Sequence, residues 1–368
     1  MKVSQVLYSG FGGHGSVAWG VYHGLKSKGY DLEMLFFGIE PVATSYKELC
    51  CKNNVSYKYI RSIRRLSFLS WFNVFFRLLL SKPDVVILHS VVTLLPCLIY
   101  AKLLGKKIIF VEHQANKLKN KKNFIISRLG MRFSDKVVYL TEGYKKEMLL
   151  YLKKSFKSEK VAVISNGIDE CFYTSKNQPA LSLDNNVIHI GMAARFNEMR
   201  HQSFLLDVIK LLSEKNLVAK WHLSLAGDGP TLKEVRDKVV ELKLDNQVTL
   251  NGYLDEQSLV KWFNDLDIYV HATAGETLST SMLQAMSCYL PIVASDVDGV
   301  ASLMSYRPKF GECVSPLDVN EFSEAIEKIA LDKSLRYEYS KNSRLVVVDN
   351  FSMDAMSKRY DDLIKSLD

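Results

Sequence analysis

Short apolar runs alternate with helix-period stretches through the first half of the chain. The apolar runs that predict strands lie at residues 3–8, 32–37, 85–88, 107–111, 136–140 and 160–164. Residues 17–28, between the first two runs, predict a helix. Continuous apolar strands separated by helices are typical of a parallel sheet that is covered on both faces.

The pattern breaks at residues 170–186, which contain Pro, Ser and Asn, and then restarts. A helix is predicted at 202–212, and the strands are predicted at residues 187–191, 221–226, 248–250, 268–271 and 292–295. We therefore predict an α/β protein of two doubly wound, Rossmann-like domains that face each other across a cleft. The first domain is predicted at residues 1–169 and the second at residues 187–351, with a linker at 170–186 between them. A last helix, 352–367, is predicted to pack back onto the first domain. Ligands bind beyond the carboxyl ends of the strands in such sheets.

Residues 66–80, LSFLSWFNVFFRLLL, form an unusually apolar stretch of helical length. Its polar residues, Ser67, Ser70, Asn73 and Arg77, fall on one thin helical stripe. The stretch is too short to span a bilayer, which needs about 20 residues. Two interpretations stay open: a helix buried on most sides, or a helix that dips into a membrane interface.

The length of 368 residues fits two domains, since single cores stop growing near ~250–300 residues. The net charge is +8, and the excess of cations is local. Two basic stretches lie in the first half, namely Lys58, Arg61, Arg64, Arg65 and Arg77, followed by Lys117, Lys119, Lys121, Lys122, Arg128 and Arg132. They favour an anionic membrane surface as a partner over nucleic acid.

The six cysteines show no metal-binding spacing, which favours incidental thiols in a reducing cytosol. The first apolar run is too short and too polar for the core of a signal peptide. We therefore predict a cytoplasmic protein without a bound metal, and leave open peripheral attachment to the inner face of the cell membrane.

The sequence GFGGHG at residues 10–15 follows the first predicted strand and opens a helix. It fits the GxGxxG pattern of dinucleotide sites, but the acidic residue expected about twenty positions later falls in the apolar run 34–37. A nicotinamide or flavin site is therefore the weaker alternative. The small residues indicate that backbone N–H groups approach a phosphate or a sugar closely.

Polar side chains follow several predicted strands at the edge where ligands bind. His89 follows residues 85–88, and His113 follows residues 107–111. Arg195 and Arg200 lie in one loop after the first strand of the second half. Two guanidinium groups suit a diphosphate, whose charge they neutralise.

Residues 274–299 are the most informative stretch. Glu276 lies in a polar loop, a helix-period run follows at 282–286, and a buried strand is predicted at 292–295. The free N–H groups at a helix N-terminus favour an anion. Glu276 and Gln284 are positioned to reach one ligand at that end of the helix.

Together these residues resemble the GT-B retaining glycosyltransferases of family four, over nearly the whole chain. The motifs that carry the resemblance are N-G-I-D at 166–169, the family's G-R-L…K-G segment at 194–201, A-G-D-G-P at 226–230, N-G-Y at 251–253, and E-x7-E through P-V-x-A-S-D at 274–296. The chain departs from the family at Arg200, where the family has lysine, at His201, where it has glycine, and at Gln284, where it has a second glutamate. The amide of Gln284 keeps a carbonyl acceptor, so a neutral hydrogen bond to a ribose hydroxyl remains available.

The resemblance implies a role for each matching position. The donor is expected to contact Gly12, Gly13, Arg195, Arg200, Tyr253, Glu276, Thr277, Leu278, Ser279, Thr280 and Gln284. The acceptor is expected to contact His14, His89 and His113. The catalytic residues implied by the family are Glu276, which contacts sugar hydroxyls, Arg195 and Arg200, which hold the diphosphate, and His113, which lies near the reacting centre.

The resemblance thus predicts transfer of a sugar from a nucleotide-diphosphate donor, a UDP-sugar by family habit, with retention and without a metal or cofactor. The predicted acceptor is a glycan or a polyprenyl-diphosphate-linked oligosaccharide of a bacterial surface polysaccharide, such as O-antigen or capsule. Two alternatives stay open: a non-catalytic nucleotide-sugar-binding protein, and a nucleotide-sugar epimerase with the same fold.

Overall fold

The computed structural model describes residues 1–10, 13–62, 67–113, 121–152, 158–175, 187–215, 219–276 and 278–367. The chain divides into two compact units. Unit 1 contains Met1–Gly167 and Met353–Asp368, and unit 2 contains Ile168–Ser352.

Unit 1 is built on a parallel sheet of seven strands. The strands are β1 (Lys2–Tyr8), β2 (Asp31–Gly38), β3 (Tyr57–Arg61), β4 (Val85–Leu88), β5 (Lys107–Glu112), β6 (Lys136–Tyr139) and β7 (Val161–Val163). Their order in the sheet is β3-β2-β1-β4-β5-β6-β7. The chain therefore winds in one direction from β1 and in the other from β4, so the switch point lies between these two neighbours.

Within the described residues before β7, unit 1 has six α-helices between its strands. They are α1 (Gly13–Lys26), α2 (Thr44–Lys52), α3 (Ser67–Ser81), α4 (Leu94–Leu104), α5 (Lys121–Phe133) and α6 (Glu142–Leu152). Alternate residues of β1 face opposite sides of the sheet. Val3 and Leu7 pack with α1 and α2, whereas Val6 packs with α3, α4, α5 and α6.

Unit 2 repeats this plan with six parallel strands in the order β10-β9-β8-β11-β12-β13. The strands are β8 (Val187–Ala193), β9 (Lys220–Ala226), β10 (Val248–Gly252), β11 (Ile268–His271), β12 (Ile292–Ser295) and β13 (Gly311–Val314). The helices are α7 (Gln202–Glu214), α8 (Leu232–Glu241), α9 (Glu256–Asn264), α10 (Thr280–Ser287), α11 (Asp298–Met304), α12 (Val319–Leu331) and α13 (Lys333–Phe351). The switch point of this sheet lies between β8 and β11.

The last helix, α14 (Met353–Lys365), belongs to unit 1 and packs against α1. Gly20 and Gly24 of α1 lie against Met353 and Ser357, where a Cβ would collide with the facing side chains. The absence of side chains at these two positions allows the helices to approach closely.

The prediction of an α/β protein with two doubly wound parallel sheets is confirmed. The apolar pattern missed β3 and β13, which are edge strands of their sheets. Both carry polar residues and are only partly buried. An edge strand is covered less than a central one, so it does not need a continuous apolar run.

The structure of α3 contradicts the interpretation of a helix buried on most sides. Val74 and Leu78 are buried, and Ser70 also points inward, where its hydroxyl donates to the carbonyl of Arg61. On the opposite side the large apolar side chains are exposed, with relative exposures of 48% for Leu69, 59% for Phe72, 56% for Phe76 and 76% for Leu80. Within the described ranges, no helix combines the length and apolar character that crossing a membrane requires.

Candidate donor and acceptor sites

Two loops of unit 2 meet at the switch point between β8 and β11. The backbones of Arg200 and Thr273 form an isolated antiparallel bridge. The N–H of Ala274 donates to the carbonyl of Met199 at 3.0 Å, and the N–H of His201 donates to the carbonyl of Ala272 at 3.1 Å. The loop after β8 and the loop after β11 are therefore joined at the edge of the sheet where ligands bind in this architecture.

A glycine turn after β9 supports the loop that carries the arginines. Gly227 and Gly229 have φ values of 137° and 155°, a backbone region that favours glycine. A Cβ at either position would collide with the carbonyl of Ala194 or of Phe196. The N–H of Phe196 also donates to the carbonyl of Asp228 at 3.0 Å. Close approach of these two backbones holds the loop after β8 in place.

The structure brings Arg200 and Glu276 together. Nη2 of Arg200 lies 2.5 Å from Oε2 of Glu276, while Nη1 donates to Oγ1 of Thr273 at 2.6 Å and to the carbonyl of Gly275 at 3.1 Å. The two side chains are 20% and 14% exposed, so the ion pair is partly shielded from water. Among the described residues, these bonds use three of the five N–H donors of the guanidinium.

His271, the last residue of β11, lies beside this ion pair. Its Nε2 is 3.6 Å from Oε2 of Glu276, and its side chain is 1% exposed. Among the described residues neither ring nitrogen of His271 has a hydrogen-bond partner. Burial lowers the pKa of His271, and Arg200 adds to this effect, although the carboxylate of Glu276 opposes it. The lowered pKa favours the neutral form of the ring.

His271 was not among the residues expected at the site. Its position at the end of a predicted strand could have identified it, because the strand-end position is also what identifies His89 and His113. Burying a histidine without hydrogen bonds destabilises the fold, because each unsatisfied buried polar atom costs about 1–3 kcal/mol of folding free energy. His271 therefore belongs with the polar residues at the switch point of unit 2.

Three more of the expected donor residues, Arg195, Tyr253 and Gln284, belong to unit 2. Arg195 is exposed in the loop after β8, and Tyr253, which directly follows β10, is 78% exposed. Gln284 lies on α10 near the phenol of Tyr173. Burial raises the pKa of Tyr173, and a hydrogen bond with Gln284 opposes this effect.

The start of α10 presents both backbone and side-chain groups. Ser279 caps the helix, since its hydroxyl accepts from the N–H of Met282 at 3.3 Å. Leu278 is buried and Thr280 is exposed, so Leu278 can contact a ligand only through its backbone. Thr277 lies outside the described residues.

The expected acceptor residues of unit 1 gather at its own switch point. Nδ1 of His89 lies 3.0 Å from Nε2 of His113, and Nε2 of His89 lies 3.0 Å from Oε1 of Gln5 on β1. Gly13 begins α1, whereas Gly12 and the side chain of His14 lie outside the described part of the chain. Gln5 was not expected at the site, although it is the polar residue in the middle of an apolar strand.

In the described part of the chain, no group of three or more His, Cys, Asp or Glu residues is arranged to hold a metal ion. The absence of a metal and of a cofactor stays a prediction.

Two family models match the chain. The model described as Glycosyltransferase Family 4 matches residues 11–171, and the model described as Glycosyl transferases group 1 matches residues 186–332. Together they cover well over half of the chain.

Similar proteins support the same family. An uncharacterized glycosyltransferase of Methanocaldococcus jannaschii is 25% identical over 287 residues, which are 73% of this chain and 71% of that protein. A UDP-Gal:alpha-D-GlcNAc-diphosphoundecaprenol alpha-1,3-galactosyltransferase of Escherichia coli is 26% identical over 224 residues, 56% of this chain and 55% of that protein. The crystal structure of HepE of Anabaena in complex with UDP aligns over 100% of both chains, with a TM-score of 0.82 at 16% identity. The last comparison shows a shared fold.

Proposed function

Because this chain belongs to the group 1, family 4 glycosyltransferases, we propose that it moves a sugar from a nucleotide-diphosphate donor to a glycan or lipid-linked acceptor, with retention at the anomeric carbon. The observation that carries this proposal is the pairing of Arg200 with Glu276 at the switch point of unit 2. The loop after β8 offers cations for a diphosphate. The loop after β11, which is joined to it, offers a carboxylate for sugar hydroxyls.

The donor in this proposal is a UDP-sugar. Its diphosphate lies against Arg195, the guanidinium of Arg200 and the N-terminal N–H groups of α10. Cations and helix N-terminal dipoles both favour an anion. Support for the base comes from HepE, which shares the fold and whose structure contains UDP. Gln284 contacts the ribose through a neutral amide, which binds more weakly than a carboxylate does.

Retention follows from a reaction on one face of the sugar. The bond between the anomeric carbon and the phosphate oxygen breaks, and its electron pair stays on the departing phosphate. The acceptor oxygen forms its bond to the same face of that carbon, and its proton passes to the departing phosphate oxygen. Arg195 and Arg200 stabilise the charge that develops, so the proposal needs no metal or cofactor.

Glu276 orients the sugar in this mechanism and does not attack it. Arg200 holds its carboxylate on one side, and the ring of His271 lies on another side at 3.6 Å. A carboxylate held in this way accepts hydrogen bonds from hydroxyl groups in a fixed direction. Preorganised groups of this kind do not have to reorganise when the reaction occurs.

The acceptor is linked to a polyprenyl diphosphate, and the protein meets it at an anionic membrane surface. The Escherichia coli relative is named for an acceptor on diphosphoundecaprenol. A lipid-linked acceptor requires that unit 1 reach a bilayer, and unit 1 exposes an apolar surface that suits this.

This surface consists of the outer faces of α3, α4 and α5, which lie on one side of the sheet, and we name it the three-helix face. α3 packs against α4, and α4 packs against α5. The exposed apolar residues of the three helices are Leu69, Phe72, Phe76, Leu80, Leu95, Ile99, Leu103, Leu104, Ile125, Leu129 and Phe133. So many neighbouring exposed apolar side chains mark an interaction surface.

The charges of the three-helix face favour binding to a bilayer that contains anionic lipids. The three helices contain no Asp or Glu, and their described side chains include Arg77, Lys102, Arg128 and Arg132. Apolar residues insert among the lipid tails, while cations remain at the headgroups. Each cation near an anionic surface contributes about 1 kcal/mol to binding.

We expect Phe72→Ser with Phe76→Ser to reduce flotation with phosphatidylglycerol-containing vesicles at low salt by roughly tenfold or more. The reason is that two large apolar side chains are lost from the centre of α3. The matched control is Val240→Ser with Leu331→Ser, which removes two exposed apolar residues of unit 2. Equal flotation of both variants, or no flotation of the unchanged protein, would count against the three-helix face.

The proposed function is tested with labelled donors. A thermal-shift screen over UDP-, GDP-, ADP- and dTDP-sugars should show stabilisation by one class, which we expect to be UDP-sugars. The stabilising donor, radiolabelled, is then mixed with lipid-linked oligosaccharides, and labelled lipid should form only when both substrates are present. A binding protein would be stabilised without product, and an epimerase would convert the donor with no acceptor present.

A further inference from the structure

His271 is a buried polar side chain at the end of β11, beside the ion pair of Arg200 and Glu276. It is 1% exposed, and within the part of the chain that the structure describes, neither of its ring nitrogens has a hydrogen-bond partner. Buried polar groups in native proteins are nearly always hydrogen-bonded. The unsatisfied ring therefore points to a second arrangement of this site, in which a nitrogen of His271 has a partner.

An acceptor for this ring is close. Nε2 of His271 lies 3.6 Å from Oε2 of Glu276, just beyond the usual range of about 2.7–3.2 Å for an N–H···O bond. A carboxylate accepts and does not donate, so Nε2 has to be the donor. It carries a proton in one neutral form of the ring and in the cationic form. A displacement of the carboxylate by about 0.5 Å would complete the bond.

Arg200 binds the same carboxylate oxygen. Nη2 of Arg200 lies 2.5 Å from Oε2 of Glu276, so this oxygen is bound to the guanidinium and only near the imidazole. Nη1 of the same guanidinium donates to Oγ1 of Thr273 and to the carbonyl of Gly275. The bonds of Nη1 hold the guanidinium at the edge of the sheet, and Nη2 can exchange the carboxylate for another anion without losing them.

The histidine is the fixed member of the pair with Glu276. It pairs with Ala294 of β12, and its ring is stacked on that of Tyr269, with centroids 6.1 Å apart and an angle of 20° between the planes. The hydroxyl of Tyr269 lies 2.9 Å from Oγ of Ser281 on α10. Glu276 lies in the loop between β11 and α10. A change of partner therefore moves the carboxylate toward the ring.

We infer that His271 is a positioning residue for Glu276: when a diphosphate binds Nη2 of Arg200, Oε2 of Glu276 passes to Nε2 of His271, which donates a hydrogen bond to it. This role rests on the proposed function, in which the donor is a nucleotide-diphosphate sugar. Diphosphate and carboxylate compete for one cation, because both bind guanidinium groups. A shielded carboxylate that loses its cation is destabilised unless it gains another partner. His271 supplies that partner, so Arg200 serves the diphosphate while Glu276 keeps a fixed direction toward the sugar.

The first test needs no nucleotide. The full chain is labelled with 15N-histidine, and His271→Gln identifies the ring signals of His271. Arg200→Met removes the guanidinium, so Oε2 of Glu276 should pass to the ring without any ligand. We expect the proton on Nε2 of His271 to shift downfield in this variant, as hydrogen-bonded ring protons do, and the shift to disappear when Glu276→Ala is added. A ring signal that is the same with and without Arg200 would overturn the inference.

The second test measures the Kd of UDP by isothermal titration calorimetry. His271→Phe should weaken the binding of UDP roughly tenfold, because the carboxylate displaced from Arg200 then has no donor to receive it. In a chain that carries Glu276→Ala, the same substitution should change the Kd by less than about twofold. His271→Gln should restore most of the affinity, since an amide N–H can replace that of Nε2.

The matched control is His222→Phe, which replaces a half-buried histidine of β9 that is hydrogen-bonded to Thr249 and should leave the Kd unchanged. Equal weakening by His271→Phe with and without Glu276 would show that the ring only packs, and would contradict the inference. If the unchanged protein does not bind UDP, the proposed donor fails, and the spectrum of Arg200→Met still decides whether His271 receives the carboxylate. The same spectrum decides if His271→Phe does not fold.

Discussion

Glu276→Ala should lose sugar transfer while the protein stays folded, with kcat/KM lower by roughly 100-fold or more. The carboxylate is the group that the proposal assigns to the sugar hydroxyls, and hydrogen bonds to a charged group contribute about 1.5–3 kcal/mol each. The fold should survive because Arg200 keeps its bonds to Thr273 and Gly275. Product formation with a radiolabelled donor measures the loss.

The matched control for this variant is Glu198→Ala, an exposed glutamate in the loop after β8. It removes the same charge from the joined loop without touching the ion pair. UDP itself should bind Glu276→Ala at least as well as the unchanged protein, because the carboxylate does not contact the nucleotide and no longer occupies Arg200. Turnover of Glu276→Ala at the rate of the unchanged protein would refute the assigned role.

Arg195→Ala combined with Arg200→Ala should weaken the binding of UDP by roughly 100-fold or more. Both guanidinium groups are assigned to the diphosphate, and charge-assisted hydrogen bonds are about twice as strong as neutral ones. Isothermal titration calorimetry with UDP measures the Kd. The control is Arg236→Ala, which removes an exposed arginine from α8 in the same unit.

The single variants separate the two arginines. Arg195 is exposed, so Arg195→Ala should weaken the binding of UDP and slow the transfer while the pair of Arg200 and Glu276 stays in place. Arg200→Ala also removes the cation beside Glu276, and the pKa of His271 should rise because Arg200 contributes to its lowering. An unchanged Kd for UDP in the variant that carries both Arg195→Ala and Arg200→Ala would contradict the assignment of these residues to the diphosphate.

Much of the fold could be predicted because a doubly wound sheet buries its central strands on both faces. The central strands β4, β11 and β12 begin and end where the apolar runs predict. The same reasoning fails at the edge strands β3 and β13, which are covered less and carry polar residues. It also left the surroundings of α3 open, because an apolar sequence does not show which side of a helix other residues cover.

The candidate site could be predicted in part. The sequence predicts His89, His113, Arg200 and Glu276 from their positions at strand ends or in the loops that follow. Such loops meet at one edge of a parallel sheet. Gln5 lies within a strand, where its side chain looks like an interruption of an apolar run, and His271 is the last residue of a strand whose other residues are apolar. Their partners come from other elements, so a local pattern contains no sign of their contacts.

The sequence by itself determined most of the strands, the two doubly wound sheets and the family, because each depends on residues that are close in the chain or on motifs within single loops. Only the tertiary structure decided which polar groups meet. Arg200 and Glu276 are 76 positions apart, and Gln5 and His89 are 84 apart. They meet because β8 lies beside β11 and β1 lies beside β4, and the order of strands in a sheet depends on long-range packing.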